Sequence, residues 1–479
     1  FPYTTLFRSS FKKVLKEARN DAKAAGNTGA PVNVDVTVAT GNVEVIGAGH
    51  LTAAANAAAG LVKATAVQNL SLSATAANVI NATSTNGNVS VTDATASVNT
   101  TVNAKGNVDI SKLDAAGSVT VVAGGTINLA GTATGIAGVD STSLNLSGVG
   151  TSTVTDVANA VTVATLSGNG AAATYDMTAG AAAMKDVIVT GSQDVTLKLN
   201  ASKVNANINV ADNSTAGKFT LDLGTGAGNV DLTGSSSLID VLKLSVNNDT
   251  RTLKVKDTQA VTVAVDQAAT TTIAVGTAAN AASQSVTIKL DDGVKDNNAI
   301  DINTSLSVNQ AKTVTIDMST DTTAAGTAVT NKIHTLNASG ANSNVTINQG
   351  VNNLELQNTG ATTVGTGSIT VTGSGTLTDA AGVTSITAAT LDASAMTGAV
   401  TLDSTTTLAV GTIKTGSGND TVVLTEQADV TVSMGAGNDT LTLDGASTVN
   451  KVTNIDLGTG TDTLKFVAST ELLKGTGTL

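Results

Sequence analysis

The sequence predicts an all-β chain wound as a parallel β-solenoid, of β-helix or β-roll type, with a short N-terminal helix. Three observations predict it. Apolar and polar residues alternate in short runs such as VDVTVAT, NVSVT, VTIKL and SITVTG, the period of half-buried strands. Phrases recur: Gly-Asn-Val opens a strand at Gly41, Gly87, Gly106 and Gly228, with Gly87 and Gly106 separated by 19 residues. The 479 residues include five Phe, two Tyr, no Trp and no Cys, so bulky compact cores are hard to build and stacked coils filled by Val, Ile, Leu and Ala suit the chain better. A row of immunoglobulin-like modules is the alternative, and each module would want a bulky core of its own.

At the N-terminus, residues 1–9 (FPYTTLFRS) read as the in-frame translation of a sequencing adapter and are set aside. Residues 10–30 follow as an amphipathic helix: Phe11, Val14, Leu15, Ala18, Ala22 and Ala25 fall at helical spacing, and Gly26 with Asn27 supplies a stop. Its basic face suits a solvated cap on a β structure or contact with anionic lipid or lipopolysaccharide. This segment also distorts the charge balance. Arg8, Lys12, Lys13, Lys16, Arg19 and Lys23 oppose only Glu17 and Asp21 there, while the whole chain carries −12, so the remainder is strongly acidic. Such a body is a poor partner for nucleic acid and a fitting one for cations. No run of about 20 apolar residues is present to span a bilayer. The absence of Cys is compatible with export and equally with a disulfide-free cytosolic protein.

Residues 31–405 form a degenerate solenoid body. Pro31 is the last proline, and strands of about four to six residues then alternate with Gly, Asn, Asp and Ser turns. Val, Ile and Leu are expected to form inward ladders, with Thr and Asn outward. The Ala-rich insert AAATYDMTAGAAAMKD (171–186) reads as a loop, Asp231 in GTGAGNVDLTG as a turn residue, and Asp291, Asp292 and Asp296 as solvated loop charges. Enzyme chemistry finds little footing. His50 and His334 are the two histidines, Arg251 is the sole arginine beyond residue 27, and no G-x-S-x-G elbow with Asp and His partners presents itself. His334, in KIHTL, reads as a strand residue. The expectation is a non-catalytic protein.

Residues 406–479 carry the most specific signal. TGSGNDTVVL, MGAGNDTLTL and LGTGTDTLKF align on Asp420, Asp439 and Asp462, at separations of 19 and 23 residues. Val422, Leu441 and Leu464 lie two residues after each Asp, Leu424, Leu443 and Phe466 four after, and Ile413, Val432 and Ile455 seven before. Apolar positions in step with the aspartate make each segment one coil. The pairs Gly416/Gly418, Gly435/Gly437 and Gly458/Gly460 permit positive φ and so let the turn aim carbonyl oxygens inward. Stacked on one edge, such turns offer the flexible all-oxygen environment that Ca²⁺ accepts. The plain alternative is that Gly-Asn-Asp serves only as a tight turn.

These segments resemble the calcium-binding nonapeptide of RTX proteins, G-G-x-G-x-D-x-U-x, with Thr415, Met434 and Leu457 in place of the leading Gly. The resemblance implies that Asp420 shares a calcium with the loop from Gly435, that Asp439 does so with the loop from Gly458, and that Asp462 needs a further coil. GTGTL at the end of the sequence resembles the start of another repeat. The Thr/Ala/Val/Asn/Gly-rich, acidic, Cys-free composition is also similar to that of calcium-dependent surface-layer proteins of Gram-negative bacteria. That likeness implies type I export, an extracellular location on the cell surface, calcium-driven folding and self-assembly into a lattice; cell-surface glycan or lipopolysaccharide are further partners weighed. An RTX adhesin with a β-rich stalk, or a polysaccharide-modifying β-helix, are the other functions weighed.

Overall fold

The structure is a computed structural model, and it describes residues 32–38, 41–115, 117–131, 143–155, 161–179, 184–200, 208–224, 228–246, 250–256, 259–265, 272–277, 285–290, 301–302, 305–308, 311–320, 327–338, 343–356, 361–379, 385–402, 407–425, 428–444 and 451–467. It is an all-β parallel β-solenoid, without a helix among these residues. The expected helix at 10–30 lies outside them. The chain divides into two units, Phe1–Asp222 and Leu223–Leu479.

In the first unit, strands stack in parallel with the register the repeat demands. Val32 pairs with Leu51, Leu51 with Leu70, Leu70 with Val89, Val89 with Val108 and Val108 with Ile127, each step being 19 residues. A second file runs Val43, Val62, Ile80, Thr100, Val119, Leu144, Ala164, Val187 and Val210. Alternation explains both: a strand sends every second side chain to the same side, and vertical pairing places like positions over one another. Leu51, Leu70, Val89, Val108 and Ile127 are all buried. Ala53, Ala55, Ala64, Ala66 and Ala82 are buried beside them, so small side chains fill the space that rings fill in a globular core.

Turns in this unit are held by an asparagine ladder. Asn69 Oδ1 accepts from the Asn88 main-chain N–H at 2.9 Å, Asn88 Oδ1 from that of Asn107 at 2.8 Å, and Asn107 Oδ1 from that of Thr126 at 2.9 Å. Each bond satisfies a turn donor that the strand ladder cannot reach. The coils lengthen after Ile127, and Tyr175 occupies the interior there. Residues 163–176 are one strand, so the front of the 171–186 insert is not the expected loop. The reason is packing: Ala173 and Tyr175 are buried, and the Tyr175 hydroxyl donates to Ser167 O at 2.7 Å and accepts from Gly148 N at 2.8 Å.

In the second unit, a file of buried apolar residues runs Val286, Val314, Val345, Ile369, Leu391, Ile413 and Val432, and it continues to Ile455. Among the described residues, a separate parallel sheet of eight strands is formed by other segments of this unit, from Asp301–Ile302 to Thr463–Val467. His334 follows the strand Thr330–Ile333 and does not belong to it; it is buried where the coil turns before the short strand Leu336–Asn337. Asp231 closes the strand Gly228–Asp231, where its Oδ1 accepts from the Thr233 N–H at 2.9 Å and hydroxyl at 2.5 Å, the arrangement of a turn residue. Asp291, Asp292 and Asp296 lie outside the described residues.

Candidate metal centre

The three motif segments occupy successive coils of the second unit. Thr407–Lys414, Ala428–Ser433 and Lys451–Asp456 bring the chain into the turns, and Thr421–Thr425, Thr440–Asp444 and Thr463–Val467 lead it out. The outgoing strands pair in register: Val422 with Leu441 and Leu441 with Leu464, then Leu424 with Leu443 and Leu443 with Phe466. The incoming strands align Ile413, Val432 and Ile455. Asp420, Asp439 and Asp462, each one residue before a paired Thr, therefore fall in one file.

That file is apolar lower in the stack. Leu354 pairs with Leu377 and Leu377 with Val400, and the register of Thr401 with Thr421 places Asp420 directly after Val400. Leu354, Leu377 and Val400 are fully buried, and Asp420 and Asp439 are each only 1% exposed. The acids therefore occupy inward positions that neighbouring coils give to Leu or Val. In the first unit the same Gly-Asn-x turn is followed by Val89 and Val108, again buried.

The substitution changes the main-chain bonding as well. Leu354 N donates to Thr376 O at 2.8 Å and Leu377 N to Ala399 O at 3.0 Å, ordinary bonds to the next coil. From Val400 onward a carboxylate takes over as acceptor. Val400 N donates to Asp420 Oδ1 at 2.8 Å, Asp420 N to Asp439 Oδ1 at 2.8 Å, and Asp439 N to Asp462 Oδ1 at 3.0 Å. One oxygen of each acid is thereby spent on the coil before it. The other oxygens, Oδ2 of Asp420 and of Asp439, are buried without a hydrogen-bond partner.

Glycines let the loops approach this closely. A Cβ on Gly435 would lie 2.1 Å from Gly416 O, one on Gly458 1.7 Å from Gly435 O, and one on Gly460 1.6 Å from Gly437 O, so any other residue collides with the coil beneath. Positive φ is found at Gly435 (89°), Gly437 (133°), Gly458 (79°) and Gly460 (143°). Gly416 and Gly418 lie outside that region, so here the expectation for the glycine pairs holds for two coils of the three. The first coil needs its glycines for clearance alone: a Cβ on Gly416 would sit 2.0 Å from Met396 O. Main-chain bonds bind the loops together, with Ala436 N donating to Gly416 O and Thr459 N to Gly435 O, both at 2.9 Å. Asn419 and Asn438 repeat the asparagine ladder of the first unit, accepting from Asn438 N at 2.8 Å and Thr461 N at 2.9 Å.

The electrostatics of the file favour neutralisation. Burial pushes the Asp420 carboxyl above the usual carboxylate range, against the opposing pull of the Thr415 hydroxyl and the Val400 and Gly416 N–H groups. Burial likewise raises Asp439; the Asp420 N–H works against this, while the charges of Asp420 and Asp462 add to it. Stacked acids with unsatisfied inward oxygens are a strained arrangement unless protons or a cation compensate them.

The residues fit a hard cation. Among the described residues no three His, Asp or Glu side chains converge on one point, so a centre would draw on two carboxylates of adjacent coils together with main-chain and hydroxyl oxygens. No nitrogen or sulfur ligand pattern of the zinc type accompanies the file. Asp420 and Asp439 are brought together in one gap, Asp439 and Asp462 in the next. The motif did not disclose Thr415, whose hydroxyl donates to Met434 O at 2.5 Å beside Asp420, nor the role of Val400 N as the first donor to the file. The signal for Val400 was available in the recurrence of Gly-x-hydrophobe at Gly375 and Gly398. Away from the file, His50 borders a shallow groove with Thr52, Asn69, Ser71, Asn88 and Ser90, and among the described residues no second titratable side chain lines it.

Comparison of the chain with family models, with curated proteins and with solved structures gives no match.

Proposed function

We propose that the chain is a non-catalytic, calcium-binding structural solenoid, exported and assembled with copies of itself in a bacterial surface layer. The observation that carries the calcium part is the aspartate file: Asp420 and Asp439 sit in inward positions, their Oδ2 atoms buried without a donor, between loops whose glycines pack directly on the main-chain carbonyls of the neighbouring coil. A cation converts that cost into stability. Ca²⁺ is the ion of choice because loops of carbonyls and carboxylates supply many hard, flexible oxygens, whereas Mg²⁺ demands a rigid octahedron. Asp420, Asp439 and Asp462 would supply charge, and the loops containing Gly416/Gly418, Gly435/Gly437 and Gly458/Gly460 would supply main-chain oxygens.

The surface-layer part is supported by composition: an acidic chain without Cys, rich in Thr, Ala, Val, Asn and Gly, whose described residues form a parallel β-solenoid. Outward Thr and Asn rows give a polar, repetitive surface suited to lateral contact between copies. No helix among the described residues is long and apolar enough to cross a membrane. The test is titration of the full chain with calcium, followed by electron microscopy. Binding in the range of about 10⁻⁴ to 10⁻³ M, usual for extracellular modules, with two-dimensional sheets on addition of calcium, is the expected result. Absence of calcium binding would remove the reading. Binding without sheets, accompanied by attachment to glycan or cells, would turn it toward an adhesin stalk.

A further inference from the structure

Thr415 stands at the position where the next two coils carry Met434 and Leu457. It is 3% exposed, and it is fixed from two sides: its N–H donates to Ser433 O at 2.9 Å and its hydroxyl donates to Met434 O at 2.5 Å. The same hydroxyl lies beside the Asp420 carboxyl. A hydroxyl has one proton and two lone pairs, so it cannot donate to the Met434 carbonyl and to Asp420 at once. With the O–H directed at Met434 O, the Asp420 Oδ2 atom is left unsatisfied, and the Thr415 oxygen, which bridges the Asp420 coil to Met434 of the Asp439 coil, keeps its lone pairs.

One coil on, this oxygen is missing. Met434 is fully buried and offers a thioether sulfur, a soft donor that a hard cation does not use, and Leu457 offers none. We propose that the Thr415 hydroxyl is a cation ligand of the gap between Asp420 and Asp439, which makes the two gaps of the file unequal and this one the tighter. The inference rests on the calcium reading above. It requires no bond of the fold to break, because the proton can stay on Met434 O while a lone pair faces the ion.

The test is calcium titration of the full chain by calorimetry for the wild type, Thr415→Val, Thr415→Ser and Met434→Thr, together with terbium luminescence lifetimes in light and heavy water, which count coordinated waters. Thr415→Val should weaken the tighter class of site by about tenfold and add about one water to its bound ion, leaving the weaker class in place. Thr415→Ser, which keeps the oxygen, should match the wild type. Met434→Thr, which supplies a hydroxyl to the second gap, should bring the weaker class toward the tighter, and this holds the inference open to refutation even where Thr415→Val unfolds. An unchanged isotherm and water count in Thr415→Val, equal losses in the Val and Ser variants, or no gain in Met434→Thr would overturn the assignment. If Asp439→Ala abolishes binding while Thr415→Val does not alter it, only this inference fails; if the wild type binds no calcium, the underlying reading fails with it.

Discussion

Asp439 is the member of the file whose loss should matter most, because it alone borders both gaps. Its Oδ1 serves the Asp420 N–H, its own N–H serves Asp462 Oδ1, and its Oδ2 is buried between them. Asp439→Ala therefore removes a ligand from two candidate sites, whereas Asp420→Ala or Asp462→Ala removes one from a single site. A site filled at a calcium concentration of about 100 times its Kd stabilises the folded coils by roughly 2.7 kcal/mol. Asp439→Ala should thus forfeit about 5 kcal/mol of calcium-dependent stabilisation and Asp420→Ala about half of that. Without calcium the loss should be small: removing a buried acid held between like charges relieves desolvation and repulsion, which offsets the loss of the acceptor for the Asp420 N–H. The assay is amide hydrogen exchange at Thr440 and Thr463, whose N–H groups donate to Asp420 O and Asp439 O, measured with calcium and with chelator, alongside calorimetric stoichiometry. Equal losses in Asp439→Ala and Asp420→Ala, or protection that ignores calcium in the wild type, would refute the shared-ligand argument.

Further outcomes follow from the same geometry. Asp420 and Asp439 have carboxyls raised above their unfolded values, so in chelator the folded coils bind more protons than the unfolded chain between the ordinary carboxylate range and the raised values; their stability should rise as pH falls through that window and decline toward neutrality. Thermal unfolding followed against pH checks the sign, which calcium should reverse by favouring the ionised acids. Thr100 lies in the file between Ile80 and Val119 with its hydroxyl buried and unpartnered, so Thr100→Val should stabilise the first unit by about 1 kcal/mol in denaturant unfolding. Tyr175→Phe removes the acceptor of Gly148 N and the donor to Ser167 O together, and should cost about 2 kcal/mol in the same assay.

Much of this architecture was legible because a solenoid repeats its instructions. Val89 and Val108 announce themselves as one position through the shared Gly-Asn-Val, and the structure pairs them directly. Ile413, Val432 and Ile455 were placed in step from spacing alone, and they stack. Legibility failed where a residue's role depends on the coil above or below it. Nothing in AAATYDMTAG shows that Tyr175 fills the interior, since that follows from the wider coils around it. KIHTL alternates like a strand, yet the short strand Leu336–Asn337 pairs in another sheet, and the chain must turn at His334 to reach it. Thr415 looked like a defect in a glycine motif, because the oxygen it faces belongs to Met434, 19 residues on.

The file from Leu354 to Asp462 shows how one backbone can serve two chemistries. A coil of this kind needs its turn donors satisfied and its interior filled, and Leu377 meets both needs, its N–H donating to Ala399 O and its apolar side chain filling the interior. From Asp420 onward the side chain itself becomes the acceptor and the interior is left with charge, although the strand register continues without a break. The register alone therefore cannot account for the change, since Val at Asp420 and Leu at Asp439 would satisfy it. Such replacements should yield coils that stack without calcium and no longer respond to it, because the freed N–H groups can each turn to a main-chain carbonyl of the following coil, as those of Leu354 and Leu377 do. Calcium-free protection at Thr440 that rises in the doubly apolar variant would show that the acids trade unconditional stability for dependence on an ion. Protection that falls would show instead that the carboxylate ladder is a structural device in its own right.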